Sequence, residues 1–89
     1  MLGKIIRNMR LTAGLYQKEL GQKLALAENT ISSYERSNSQ PTFDTITKIC
    51  EVCGFEIVIR DNAGKLCSLE EMSREQDFNI SEKKNKKVS

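Results

Sequence analysis

Apolar residues recur at helical spacing from the start of the chain. Leu2, Ile5, Ile6, Met9 and Ala13 fall at i, i+3, i+4, i+7 and i+11, while Lys4, Arg7 and Asn8 take the other face. Gly14 stands where a left-handed residue closes a helix, and Leu15 can fold back on it. A second helix is predicted from Gln17 to Leu24, with Leu20 and Leu24 inward. Gly21 lies inside it, where glycine costs about 1 kcal/mol against alanine. The compensation expected is close contact with another helix at that spot. Ala25-Leu26-Ala27 breaks the pattern, and a third helix from Glu28 to Arg36 turns Ile31, Tyr34 and Glu35 inward. Ser37 to Pro41 is a polar loop. Thr42 is a good N-cap for a fourth helix, whose predicted apolar face is Phe43, Ile46, Ile49, Cys50 and Cys53 and which Gly54 ends.

The period then changes. Phe55-Glu56-Ile57-Val58-Ile59-Arg60 alternates and is β-branched, with Phe55, Ile57 and Ile59 on one face. Asp61 to Gly64 reads as a turn and Lys65-Leu66-Cys67 as a return strand. Ser68 with Glu71 makes a capping box that opens a short helix to about Asp77. From Asn79 the chain is polar, with Lys83, Lys84, Lys86 and Lys87, and cannot bury enough apolar surface to order itself. The expected organisation is a helical domain over 1–54, a strand or hairpin with a short helix over 55–78, and a disordered tail over 79–89.

Composition narrows the function. The chain has 89 residues and a net charge of +2, a weak balance for a nucleic-acid binder. The surplus lies in residues 1–54, because lysine plus arginine balance aspartate plus glutamate over 55–89. No apolar run approaches the roughly 20 residues of a membrane span, and no signal peptide is evident, so a cytoplasmic protein is expected. There is no histidine, no phosphate-cradling glycine loop and no nucleophile with a base beside it, which argues against an enzyme. Cys50-x-x-Cys53 has only Cys67 to join it, too few for a usual zinc site. Both cysteines read as small core hydrophobes, and no metal or cofactor is expected.

The segment Gln17 to Pro41 carries the functional signal. Two short helices joined by a tight turn, the second offering short polar groups from its first turns, suit a helix-turn-helix. Glu28, Asn29, Thr30 and Ser33 share an outward arc.

The run Gln17-x-Glu19-Leu20-x-x-x-Leu24-x-Leu26-x-x-x-Thr30-Ile31-Ser32-x-Tyr34-Glu35-Arg36, then Pro41, resembles the Cro/cI repressor-type (XRE-like) helix-turn-helix family. The resemblance covers about residues 2 to 54. It implies an all-α, compact four- to five-helix repressor-like DNA-binding domain, here followed by a short C-terminal β-strand or hairpin and the tail. It also implies operator binding as a homodimer and control of transcription. By the same resemblance Glu28, Asn29, Thr30 and Ser33 occupy base-reading positions. Asn29 could pair with adenine, Glu28 accept from cytosine and Thr30 touch a thymine methyl, each good pair discriminating by about 1–3 kcal/mol. Gln17 corresponds to a phosphate contact at the start of helix two. Arg36, Asn38 and Gln40 correspond to sugar–phosphate contacts, and Arg10 with Glu35 to an internal ion pair. Three positions depart from the pattern: Ala25 for the turn glycine, Ala27 for the usual Ser/Thr cap and Ser37 for a common glycine.

A lone strand has unpaired edges. Residues 55–60 can pair with the return strand of the same chain or with a second subunit. A dimer built at least partly through Phe55, Ile57 and Ile59 is expected, with two recognition helices about 34 Å apart on a near-palindromic site of double-stranded DNA. Residues 55 to 78 exceed what a minimal DNA-binding domain needs. This keeps open a second reading, an antitoxin that binds a toxin protein through its C-terminal segment and regulates its own operon.

Overall fold

The structure, a computed structural model, describes residues 1–74. The elements run α1 (Leu2–Thr12), α2 (Gln17–Leu24), α3 (Glu28–Glu35), α4 (Phe43–Cys53), β1 (Val58–Arg60), β2 (Leu66–Ser68) and α5 (Leu69–Met72). They form two units, Met1–Glu56 and the chain from Ile57 onward.

In the first unit α1 and α2 each pack on both α3 and α4. Ile6, Leu20, Ile31 and Ile49, one from each helix, are fully buried at its centre. The buried face of α1 differs from the periodic expectation. Ile5 is 45% exposed and Ala13 is exposed, while Gly3 and Arg10 are buried. The face turns because α1 lies tightly on the end of α3 and because Arg10 is drawn inward by Glu35. Phe43 also departs from expectation. As the first residue of α4 it is 58% exposed, and the stripe begins with half-buried Ile46.

Two glycines mark close approaches. A Cβ on Gly21 would lie 2.6 Å from the Leu26 carbonyl oxygen, so the turn between α2 and α3 folds back against α2 there. A Cβ on Gly3 would lie 2.5 Å from the Glu35 carbonyl oxygen and 2.8 Å from that of Tyr34. Backbone carbonyls cannot swing aside as a flexible side chain can. Gly3→Ala is therefore expected to destabilise the domain by about 1–3 kcal/mol despite the better helix propensity of alanine. A denaturant midpoint equal to or above that of the parent chain would refute this contact.

All four main helices close in the same way. Leu15, Leu26, Asn38 and Phe55 each send their N–H back five residues, and Gly14, Ala25, Ser37 and Gly54 each send theirs back three. This is the Schellman arrangement, which needs a left-handed residue just past the helix. Glycine holds that place after α1 and α4. After α2 and α3, on either side of α3, Ala25 (φ 58°) and Ser37 (φ 63°) hold it. A Cβ in that conformation costs about 1–2 kcal/mol. Ala25→Gly should relieve part of it and, after the larger unfolded-state entropy of glycine, raise stability by about 0.5–1 kcal/mol in thermal denaturation.

In the second unit β1 and β2 pair antiparallel, with Val58 opposite Ser68, Ile59 opposite Cys67 and Arg60 opposite Leu66. Asp61 Oδ1 accepts from the backbone N–H groups of Ala63 and Lys65, both at 2.9 Å, and shapes the turn. The first strand is shorter than the alternating run 55–60. Phe55 is not free to join it, because its N–H donates to the Cys50 carbonyl at 2.8 Å in closing α4. The return strand runs one residue later than expected, through Ser68. Ser68 and Glu71 cap α5 reciprocally, with bonds of 2.9 and 3.1 Å. The helix stops at Met72 rather than near Asp77: Ser73 Oγ donates to the Glu70 carbonyl at 2.7 Å and takes an acceptor of the last turn. The expected disordered stretch over 79–89 lies outside the described residues. No helix among the described residues is long and apolar enough to cross a membrane.

Candidate nucleic-acid interface

α2, the turn at Ala25 and α3 form a helix-turn-helix. The backbone of α3 begins at Ala27, whose carbonyl accepts the first helical bonds from Thr30 and Ile31 and whose side chain provides no cap. The N–H groups of Glu28 and Asn29 precede the first intrahelical donor, so this end of α3 presents donors to an incoming anion.

On α3, Glu28 and Asn29 are exposed, and Thr30 and Ser33 are half-buried. Ile31 on the opposite side is fully buried and fixes the rotation of the helix. Ser33 is not an isolated hydroxyl. Its Oγ lies 2.8 Å from that of Ser39, so the recognition helix and the loop after it are joined at this point. Arg36, Asn38 and Gln40 are all exposed along that loop. They are near one another in sequence and are not bonded together.

Three side chains hold α3 in place. Arg10 Nε donates to Glu35 Oε2 at 2.6 Å and Nη2 to Oε1 at 3.0 Å, a two-pronged pair. Nη1 donates to the Leu15 carbonyl at 2.8 Å, which ties in the segment before α2. Gln17 Nε2 donates to Glu35 Oε1 at 3.0 Å. One carboxylate on α3 thus gathers α1 and α2. The side chains of Arg10 and Glu35 are 7% and 3% exposed. Burial by itself would raise the Glu35 pKa, but the hydrogen bonds from Arg10 and Gln17 and the charges of Arg10 and Arg7 outweigh it and lower it. On Arg10 the bond to Glu35 raises the pKa against burial, so the guanidinium stays charged. Gln17 has a structural partner in Glu35 beside the phosphate role expected of it, and its amide oxygen remains for a further donor.

Two neighbours of the site were not legible as such. Ser39 lies in a polar loop by sequence, and only the fold brings it to Ser33. Tyr16, 77% exposed, stands directly before Gln17 and sends its backbone N–H to Glu19 Oε1 at 2.8 Å. An aromatic residue at the entrance of α2 was a signal available in the sequence. The expected dimerisation residues fall in different units: Phe55 is 41% exposed in the first, while half-buried Ile57 and exposed Ile59 belong to the second. Among the described residues, no three His, Cys, Asp or Glu side chains converge on a metal-sized site. Burial pushes the Cys50 and Cys53 thiols up, Glu51 adding to the first and Cys50 to the second, so neither is an activated nucleophile.

The Helix-turn-helix family model (HTH_3) matches residues 6–59. The HTH-type transcriptional regulator ImmR of Bacillus subtilis (strain 168) is 42% identical over 48 residues, which are 54% of this chain and 38% of ImmR. The chain thus spans well under two thirds of that relative. Among solved structures, the clp gene regulator ClgR from Corynebacterium glutamicum shares the fold, with a TM-score of 0.58 at 22% identity over 61% of this chain and 57% of ClgR. SinR, a master regulator for biofilm formation solved in complex with DNA, gives a TM-score of 0.57 at 28% identity over 62% of this chain and 89% of SinR. A match of this extent on a four-helix unit built around α2 and α3 places the chain in the Cro/cI-type (XRE-like) helix-turn-helix family, a family of DNA-binding transcription regulators and not of enzymes.

Proposed function

We propose that this chain is a sequence-specific repressor that binds double-stranded DNA as a homodimer on a near-palindromic operator, in the cytoplasm and without a membrane or cofactor partner. The observation that carries this reading is the posture of α3. Its first two residues, Glu28 and Asn29, are exposed and polar, and its last residue, Glu35, is clamped by Arg10 and Gln17. A helix held at one end and open at the other suits insertion into a major groove. Asn29, exposed on the first turn of α3, is the leading base reader. Glu28 and Thr30 flank it, and Ser33 shares its hydroxyl with Ser39. Gln17, Arg36, Asn38 and Gln40 contact the backbone. With a single arginine among these four, few phosphates are neutralised and the salt dependence is shallow. SinR's complex with DNA and ImmR's description as a transcriptional regulator support the reading.

The test is a mobility-shift assay on the gene's own upstream region. Asn29→Ala should cost about 1–3 kcal/mol per half-site, and Ser33→Ala less, because Ser39 already satisfies that hydroxyl. Operator affinity unchanged in the Asn29→Ala/Ser33→Ala double variant would sink the assignment of α3.

The second reading, an antitoxin, draws on the second unit. Val58, Ile59, Leu66 and Met72 are 45, 43, 60 and 43% exposed, apolar surface that a partner protein could cover. A toxin-like reading frame beside the gene, with a co-purifying product lost on removal of residues 55–89, would favour it. Co-purification unchanged by that truncation would reject it.

A further inference from the structure

Sulfur gathers in one place in the helical unit. Met9 on α1 is buried against Cys50 on α4, and the Cys50 thiol donates to Met9 Sδ at an S···S distance of 3.8 Å. Cys53, one turn further along the same face of α4, is also buried. Helix geometry sets their Cα atoms roughly 5 Å apart, with side chains on one face.

We propose that Met9, Cys50 and Cys53 form a binding site for a soft monovalent d10 cation, with copper(I) as its ligand. Thiolate and thioether are the donors that select this ion over harder metals. Zinc asks for four ligands and commonly uses histidine or carboxylate, and among the described residues no such group joins the sulfurs. Copper(I) needs only two or three. Metal–sulfur bonds of about 2.3 Å put the sulfurs of a trigonal site about 4 Å apart, close to the Met9–Cys50 spacing already present. The Cys50 proton, directed at Met9 Sδ, occupies the place the ion would take. Binding joins Cu(I) to two thiolates and one thioether and releases two protons to solvent. No electron changes hands. Cys53 is the final residue of α4, and Gly54 beyond it is exposed.

The site also has a route to the recognition helix. The loaded centre carries one net negative charge, and the buried Arg10 directly follows its ligand Met9 on α1. The thiolates then compete with Glu35 for the guanidinium that clamps α3. Copper(I) should accordingly weaken operator binding. That consequence rests on the DNA-binding reading; the site itself does not.

The test is anaerobic titration of the full chain against a chromophoric copper(I) chelator, without DNA. One ion per chain is expected to leave the chelator and give an ultraviolet thiolate-to-copper band. Cys50→Ala and Cys53→Ala should each weaken retention by about a hundredfold or more, and Met9→Leu by about tenfold. Cys67→Ala should keep it. These replacements preserve apolar packing, and circular dichroism confirms the fold of each; Met9→Leu retains both thiols if a cysteine variant fails to fold. A parent chain that takes no copper(I), or a Cys50→Ala/Cys53→Ala chain that takes it equally well, overturns the site. Copper(I) bound at these residues with operator affinity unmoved overturns the link to α3 alone.

Discussion

Arg10→Ala is expected to destabilise the helical unit by about 3–5 kcal/mol, a large part of the 5–15 kcal/mol typical of a domain. The loss does not come from the ion pair as a sum of attractions. It comes from leaving the Glu35 carboxylate, 3% exposed, with only the Gln17 amide for company. Two further measurements separate this cause from lost packing. The first is a paired replacement, Arg10→Met with Glu35→Met, which removes both charges and should recover most of the stability. Packing loss alone would leave the double variant no better than the single. The second is pH. In the parent chain the Glu35 pKa is lowered, so its contribution is present above the ordinary carboxylate range and is lost as pH falls through the folded value. In Arg10→Ala burial acts unopposed by that partner, the folded pKa rises, and protonation now favours the folded state. The gap between the two chains should therefore narrow as pH is lowered. Urea titrations from pH 7 to pH 4 read this directly, and a gap that stays constant would reject the stranded-charge account.

The same pair shows how much was legible in sequence. The helices were set by period and punctuation: Ile6, Leu20, Ile31 and Ile49 each sit on the stripe expected to be inward. Periodicity could not foresee that α1 would turn Gly3 and Arg10 inward and leave Ile5 outside. That choice is made by the end of α3, whose carbonyls need a residue without a Cβ and whose carboxylate needs a cation. Nor could the pattern show that Ala25 and Ser37 would take left-handed conformations in place of glycine, because the hydrogen bonds that enforce them arise only once the helices have closed. Alternation extends the strand back to Phe55, but it does not reveal that this backbone N–H is already spent on capping α4. In the site, residue types and spacing indicated α3 and its outward set. The Ser33–Ser39 bond was hidden, as it joins a helix to a loop whose path the sequence does not fix.

Ile59→Asp should abolish high-affinity operator binding while leaving the helical unit folded. β1 and β2 form a two-stranded sheet, too small to be stable by itself in water. Its register puts Ile59 with Cys67 on one face and Val58 and Leu66 on the other, and all three apolar residues, Val58, Ile59 and Leu66, are more than 40% exposed. Among the described residues the sheet consists of these two strands. A second copy that covers this sheet buries its exposed apolar residues, and an isologous contact supplies the two-fold symmetry of a palindrome. An aspartate there would have to be desolvated at the contact, once on each subunit. The monomer presents one recognition helix instead of two, and loses the effective concentration that makes the second half-site nearly intramolecular. Specific affinity should fall by about 10³ or more, toward non-specific binding. The residues at the centre of the helical unit all precede Gly54, so its thermal transition should persist. Sedimentation at micromolar concentration with a parallel mobility shift decides the matter. A parent chain that sediments as a monomer on binding its operator, or an Ile59→Asp chain that keeps full affinity, would move the dimer contact away from the hairpin.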